Sequence, residues 1–331
     1  MNRKRSFLVY YLSSIFINGH ALNLFVFGDS YADTGNSPNS SISWKHPYGI
    51  TFPGTPAGRF SDGRVLTDYI ASYLGIESPI PFERRNIGKK SDLKFGMNFA
   101  YGGTGVFDTL NNAPNMATQI SYFQHLLLED QVYTKHDLKS SIALISLAGN
   151  DYNTYLYKYG NHIQDMGNLT VLIMKEVSKN LKRIHELGVQ KIAITSLQPI
   201  GCLPAIAIAS LQNCSQDWND ASKFHNQMLK QLLQNLNSES KGNVFHLLDT
   251  FAAFMSVFNK PNNTGQLTLF PCCRGISSNY SCGDIDKSGA NKYIICENPE
   301  LSIFWDRIHP SQNGWRQLYL ALLSSLHQIF P

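Results

Sequence analysis

Five short apolar runs constrain this chain more than any other feature. They cover residues 22–27, 95–101, 141–147, 191–196 and 244–248. Each has the length and makeup of a strand buried on both faces. Between them the apolar spacing turns helical. Residues 65–74 carry Leu66, Tyr69, Ile70 and Tyr73 on one face, and 116–128 read as a second helix. The stretch 169–187 places Leu172, Ile173, Val177, Leu181 and Ile184 on one stripe and is closed by Gly188. Two more helices are predicted over 218–236 and 311–326. Strands alternating with helices imply parallel pairing, because each return to the sheet needs a crossover. Right-handed crossovers then cover both faces. The expected fold is α/β, a three-layer α/β/α sandwich around a five-stranded parallel sheet. The composition, 43% hydrophobic and 16% charged, suits one large core, and we find neither an internal repeat nor a linker-like segment.

In open α/β sheets the chemistry sits beyond the carboxyl ends of the strands. The first run breaks there at Gly28-Asp29-Ser30. A serine in that place is a candidate nucleophile, although Ser, Asp and Thr also favour turns and helix caps. The second run leads into Gly102-Gly103-Thr104-Gly105. As a phosphate cradle this loop lacks a Lys-Ser/Thr end and the dinucleotide spacing. Close approach of its backbone to a small reacting group is the better reading. The third run leads into Gly149-Asn150-Asp151. Residues 37–64, rich in Pro, Gly and Ser, read as a long loop over the same end of the sheet. Asp306 and His309 precede the last helix, and Asp-x-x-His alone is a common accident. No Gly-x-Ser-x-Gly elbow occurs, which argues against the α/β-hydrolase fold.

Taken together and in order, Gly28-Asp29-Ser30, Asn98 to Gly105, Ala148-Gly149-Asn150-Asp151 and Trp305 to Pro310 resemble the four sequence blocks of the plant GDSL esterase/lipase family, a branch of the SGNH hydrolases. Tyr31 stands where the first block usually has Leu. The resemblance runs from about Leu22 to the C-terminus and includes Pro47-Tyr48-Gly49, the stretch 58–63 and the stretch 197–204. It implies a flavodoxin-like SGNH fold. It also implies a catalytic triad of Ser30, Asp306 and His309, and an oxyanion hole built from the backbone N–H groups of Ser30 and Gly103 with the side-chain amide of Asn150. No cofactor and no metal is implied. The implied activity is hydrolysis of carboxylic esters through an acyl-serine intermediate, with acyl transfer to an alcohol as the alternative and a catalytically inactive binding protein as a third reading. The substrate is expected to be a small-molecule or lipid ester. Phe107, Tyr152 and Tyr155 flank the blocks and are equally readable as acyl-pocket or ordinary packing residues.

The N-terminus reads as a secretory signal over residues 1–21, followed by a single domain over 22–331. Arg3-Lys4-Arg5 is a basic start, residues 6–17 are mostly apolar, and Gly19-His20-Ala21 offers a cleavage site. The apolar stretch is short of the roughly 20 residues a spanning helix needs, so no stable membrane insertion is expected. Removing residues 1–21 takes away Arg3, Lys4 and Arg5 and lowers the formal charge from +4 to +1. Without a clustered basic footprint, nucleic acid is not an expected partner; the protein is expected to be secreted and monomeric.

Six cysteines fit an oxidising compartment. Cys202 and Cys214 are expected to pair. Cys272 and Cys273, being adjacent, should each pair with Cys282 or Cys296 in an order the sequence leaves open. A zinc site is disfavoured because no Cys-x-x-Cys occurs. Asn39, Asn168, Asn213, Asn262 and Asn279 begin N-x-Ser/Thr sequons and are candidate glycan sites. His185, His225 and His246 are read as structural.

Overall fold

The computed structural model describes residues 22–87, 90–147, 149–160, 165–207, 213–259 and 270–330. The expected signal segment and Asn262 lie outside them. The first apolar run forms β1 (Leu24–Gly28), buried along its whole length. Next in chain order come α1 (Leu66–Tyr73), β2 (Ile80–Pro81), β3 (Gly96–Asn98), α2 (Met116–Leu128), a short α3 (Lys135–Lys139) and β4 (Ile142–Ser146). They are followed by α4 (Gly149–Tyr159), α5 (Met166–Glu186), β5 (Lys191–Thr195), a one-turn α6 (Pro204–Ala207) and α7 (Gln216–Ser240). β6 (Phe245–Leu248), α8 (Thr250–Phe258), β7 (Cys273–Gly275), β8 (Tyr293–Ile295) and α9 (Gln312–Ile329) complete the chain.

The central sheet is parallel and has six strands in the order β2-β3-β1-β4-β5-β6, not the five expected. The extra strand is β2, which pairs Ile80 with Met97 and Pro81 with Asn98 at the sheet edge. Two residues carry no alternating pattern, and Pro81 lacks an N–H, which an edge strand tolerates. From β1 the chain fills one side of the sheet with β2 and β3, then crosses to the other side with β4 to β6. The switch point therefore lies between β1 and β4, where such sheets form their ligand crevice. Leu24 to Gly28 pair in register with Ile142 to Ser146 across it.

Helices pack on both faces. α2, α5 and α7 contact one another in sequence, and α1 and α8 both contact α9. Phe25, Phe27, Phe99 and Phe123 meet edge-on or stacked beneath the sheet. Each such fully buried side chain contributes about 1.5–3 kcal/mol. Asn115 caps α2 by accepting from Thr118 N, and Ser311 caps α9 by accepting from Gly314 N. That second cap stops the last helix two residues short of His309 and leaves the preceding segment free to turn over the sheet.

β7 and β8 form a small antiparallel pair. Disulfides Cys272–Cys296 and Cys273–Cys282 staple it, and Cys202–Cys214 closes a separate loop before α7. No free cysteine remains among the described residues, which removes the thiolates a zinc site would need. Each bridge is worth about 2–4 kcal/mol. Among the described residues no helix is long and apolar enough to cross a membrane.

Candidate active site

Ser30 follows β1 directly and lies at the switch point. The turn into it needs glycine at position 28, which has φ +152° and where a Cβ would come within 2.2 Å of Ser146 O on β4. Asp29 N–H donates to Ser146 O at 3.0 Å, and Asp29 O accepts from Ala32 and Asp33. The Asp33 side chain is fully buried. It gathers the N–H groups of Gly35, Asn36, Ser37 and Gly102 together with the Ser37 hydroxyl, tying the first glycine-containing turn to the second. Asn36 and Asn98 add cross-links between the same two segments.

His309 arrives from the far end of the chain. Its Nε2 lies 2.9 Å from Ser30 Oγ, and its Nδ1 lies 2.8 Å from Asp306 Oδ2 and 3.0 Å from Oδ1. A carboxylate only accepts, so Nδ1 carries the proton and Nε2 offers its lone pair to the serine hydroxyl. Asp306 Oδ1 also accepts the N–H groups of Ile308 and His309, both at 2.8 Å. Tyr48 OH donates to Oδ2 at 2.7 Å. Burial alone would raise the Asp306 carboxyl. The His309 ring and its hydrogen bonds, with help from Tyr48, outweigh burial and hold it below the usual carboxylate range. The imidazole is flanked by Phe60, at 5.2 Å between ring centres, and by Tyr31, at 6.0 Å. Tyr31 in turn donates to Ile308 O, so the residue that departs from the usual Leu braces the histidine loop.

Among the described residues, neither Ser30 N–H nor Gly103 N–H donates to an intramolecular acceptor. Gly103 has φ +80°, and a Cβ there would strike the Asn111 amide at 1.8 Å. The pressure for glycine comes first from this left-handed φ, since the exposed Asn111 side chain is free to swing aside. Asn150 stands in the first turn of α4, not in a strand-end loop. Its amide donates to Thr104 O at 2.8 Å and, weakly, to Asp29 Oδ2 at 3.4 Å. The second proton is the one this arrangement can give to another acceptor. The arrangement can thus ionise a serine toward an electrophile and offers donors for the negative oxygen that would form.

Of the expected site residues, Ser30, His309 and Asp306 join in one line of hydrogen bonds, and Asn150 reaches the neighbouring Asp29; Gly103 lies in the turn that follows β3. The aromatic candidates divide. Tyr152 is buried, and its hydroxyl bonds Thr170 Oγ1 and His225 Nδ1, which makes it part of the core. Tyr155 packs on Tyr159, and Phe107 lies partly against the main core. His225 is structural, its ring pushed down to about 3 by burial. Asn39, Asn168, Asn213 and Asn279 are exposed. Tyr48 and Asp29 were not singled out from sequence. Tyr48 sits within Pro47-Tyr48-Gly49, the one sequence feature that marked it.

Asp29 leads to a pH prediction. Burial pushes its carboxyl up to about 7, against the Tyr31 N–H bond and the His309 charge, while nearby Asp151, itself raised to about 6 by burial, pushes the same way. A folded value above the ordinary 3.8 means that the native state holds this proton more tightly. The stabilising contribution is therefore complete below 3.8 and is lost as pH rises through about 7. We expect the wild type to lose thermal stability relative to Asp29→Asn between pH 5 and pH 8. His225 acts in the opposite sense but cancels in the comparison. Parallel melting curves for the two proteins across that range would contradict the assignment.

Comparisons with known proteins show the family. The family model described as GDSL-like Lipase/Acylhydrolase matches residues 24–322. The chain is 49% identical to the GDSL esterase/lipase At5g03610 of Arabidopsis thaliana, over 92% of this chain and 86% of that protein. It is 48% identical to the GDSL esterase/lipase At3g09930 of the same plant, over 93% and 89% of the two chains. Among solved structures, Est24, a carbohydrate acetylesterase from Sinorhizobium meliloti, aligns over 93% of this chain and all of its own, with 14% identity and a TM-score of 0.45.

Proposed function

Because the chain belongs to the family of GDSL-like lipases and acylhydrolases, we propose that it is a secreted carboxylic-ester hydrolase working through an acyl-Ser30 intermediate, with residues 22–331 as one domain. The observation that carries this reading is the continuous line of hydrogen bonds from Ser30 Oγ through His309 to Asp306. Ser30 Oγ attacks the ester carbonyl as His309 Nε2 takes its proton. The carbonyl oxygen becomes negative against the N–H groups of Ser30 and Gly103 and the Asn150 amide. Collapse breaks the ester C–O bond, and His309 returns the proton to the departing alcohol. Water, deprotonated by the same nitrogen, then attacks the acyl carbon; the C–Oγ bond breaks, His309 returns the proton to Ser30 Oγ, and the acid leaves. Asp306 stays ionised throughout and stabilises the imidazolium.

The test is covalent. A fluorophosphonate probe should label one equivalent of protein on the Ser30 peptide and abolish ester turnover in step. Turnover that survives full labelling would remove the mechanism. Secretion rests on the N-terminal pattern, the three disulfides and the four exposed sequons. It predicts that protein recovered from the medium begins near Leu22 and shrinks on deglycosylation. A retained Met1 on that protein would rule out cleavage.

A further inference from the structure

Tyr48 lies 258 residues before Asp306 and is only 1% exposed. It descends from the long loop between β1 and α1 into a small apolar cluster separate from the main core. Its neighbours there are Trp305, Cys272, Cys273 and Cys282. The Tyr48 and Trp305 rings meet edge to face with centres 6.1 Å apart. The stapled β7–β8 segment holds the histidine loop from the other side: Cys272 N–H donates to Phe304 O and Cys273 N–H to Trp305 O. Trp305 N–H in turn donates to His309 O at 2.8 Å. The hydroxyl of Tyr48 is set against the carboxylate by this packing.

The bonds at Asp306 divide unequally between its two oxygens. Oδ1 is anchored by two backbone N–H groups as well as by the ring. Oδ2, the closer partner of His309 Nδ1, has Tyr48 as its other donor among the described residues. A carboxylate only accepts, so the direction of that bond is unambiguous. Burial, followed by the charge of Asp306, pushes the phenol well above its ordinary value, so it stays a donor. A buried hydroxyl needs some partner, and a backbone carbonyl would have served equally well for stability. Here the partner is the oxygen that must face an imidazolium.

We propose that Tyr48 is a positioning residue for ester turnover, acting through Asp306 by orienting Oδ2 and sharing its negative charge. This rests on the triad reading above. Tyr48 gives up no proton at any step. The bond keeps the carboxylate in line with Nδ1 while the charge on the ring changes. It also moderates the pull of the carboxylate, so that the ring can return its proton to the leaving alcohol. The other titratable groups that act on this cluster are Asp284 from the stapled segment, Tyr31 beside Asp306, and Asp29 through His309.

The experiment is Tyr48→Phe in the full glycosylated chain. Loss of one donor concentrates charge on Oδ2 and favours the protonated ring. We expect kcat to fall about tenfold with KM within about twofold of wild type. The acid limb of the kcat/KM profile should move to higher pH by about half a unit. In an Asp306→Asn background the same change should have no further effect on kcat, since the route through the carboxylate is gone. A purely packing role would lower the melting temperature and leave the acid limb in place, and that result would overturn the proposal. If Tyr48→Phe fails to fold, 3,5-difluorotyrosine at position 48 keeps the ring and strengthens the donor. The limb should then move to lower pH, and an unmoved limb would equally refute the role. Fluorophosphonate labelling of the wild type separates the two readings. An unlabelled Ser30 defeats the triad itself, whereas a labelled Ser30 with an unmoved limb in the variant defeats only Tyr48.

Discussion

Ser30→Ala is expected to abolish fluorophosphonate labelling and to reduce ester turnover by about 10⁶-fold in kcat, the scale seen when a serine triad loses its nucleophile. Without Oγ no acyl-enzyme can form, and His309 is left with only water to deprotonate. The residual rate should stay above the uncatalysed one, because the donors of the oxyanion site and substrate binding persist. His309→Ala should cost about the same. Serine at its ordinary acidity is a poor nucleophile, and the two residues act as a unit whose losses do not add. Asp306→Asn should lose less than either. It favours the wrong tautomer of the ring, but the N–H groups of Ile308 and His309 still hold the side chain at Oδ1. The fold should survive Ser30→Ala, since among the described residues the hydroxyl bonds only the His309 ring. Rates measured on protein purified away from contaminating esterase, with matched melting curves, decide the matter. Wild-type turnover in Ser30→Ala would overturn the mechanism.

Asn150→Ala should lower kcat by about 10²–10³ with little change in KM, because an oxyanion donor acts mainly on the transition state. The structure makes this test sharper than the sequence could. The Asn150 amide is shared between Thr104 O at 2.8 Å and Asp29 Oδ2 at 3.4 Å, so substrate oxygen competes for the weaker of two existing bonds. Loss of the amide also frees Thr104 O, and some loss of stability is expected beside the loss of rate. Ser30 should still label with the phosphonate, only more slowly, because that reagent also develops a negative oxygen. The contrast with Ser30→Ala is thus slow labelling against none. A raised KM with unchanged kcat would mean that Asn150 binds substrate uniformly and is not an oxyanion donor. Any change in melting temperature is to be read alongside kcat, since Asn150 opens α4.

Much of the fold was legible because burial on both faces leaves a plain mark. Residues 22–27 and 141–147 became β1 and β4 within two residues, and 116–128 became α2 without change. Elements with weak marks were missed. β2 is two residues long and half proline, and it exists only because β3 offers an edge. α8 is apolar nearly all round, so it shows no stripe. α4 begins within the Gly149-Asn150-Asp151 block, where the motif drew the eye away from the helix that follows.

The available groups can be read along the chain: a serine at the end of a buried strand, a histidine and an aspartate three residues apart, glycines in the turns beside them, and six cysteines. Such features are local, and a single segment carries each of them. The tertiary structure decided what those groups touch. Strand order set β3 and β4 on either side of β1, and the turn after β3 and the start of α4 were thereby joined through Asn150 to Thr104 and Asp29. It also chose Cys272–Cys296 with Cys273–Cys282 over the other pairing, placed Tyr152 in the core, and brought Tyr48 to Asp306 from 258 residues away. A hydrogen bond of 2.7 Å depends on where both partners lie in space. No periodicity or spacing along the chain records that distance, because the packing of segments far apart in sequence is what sets it.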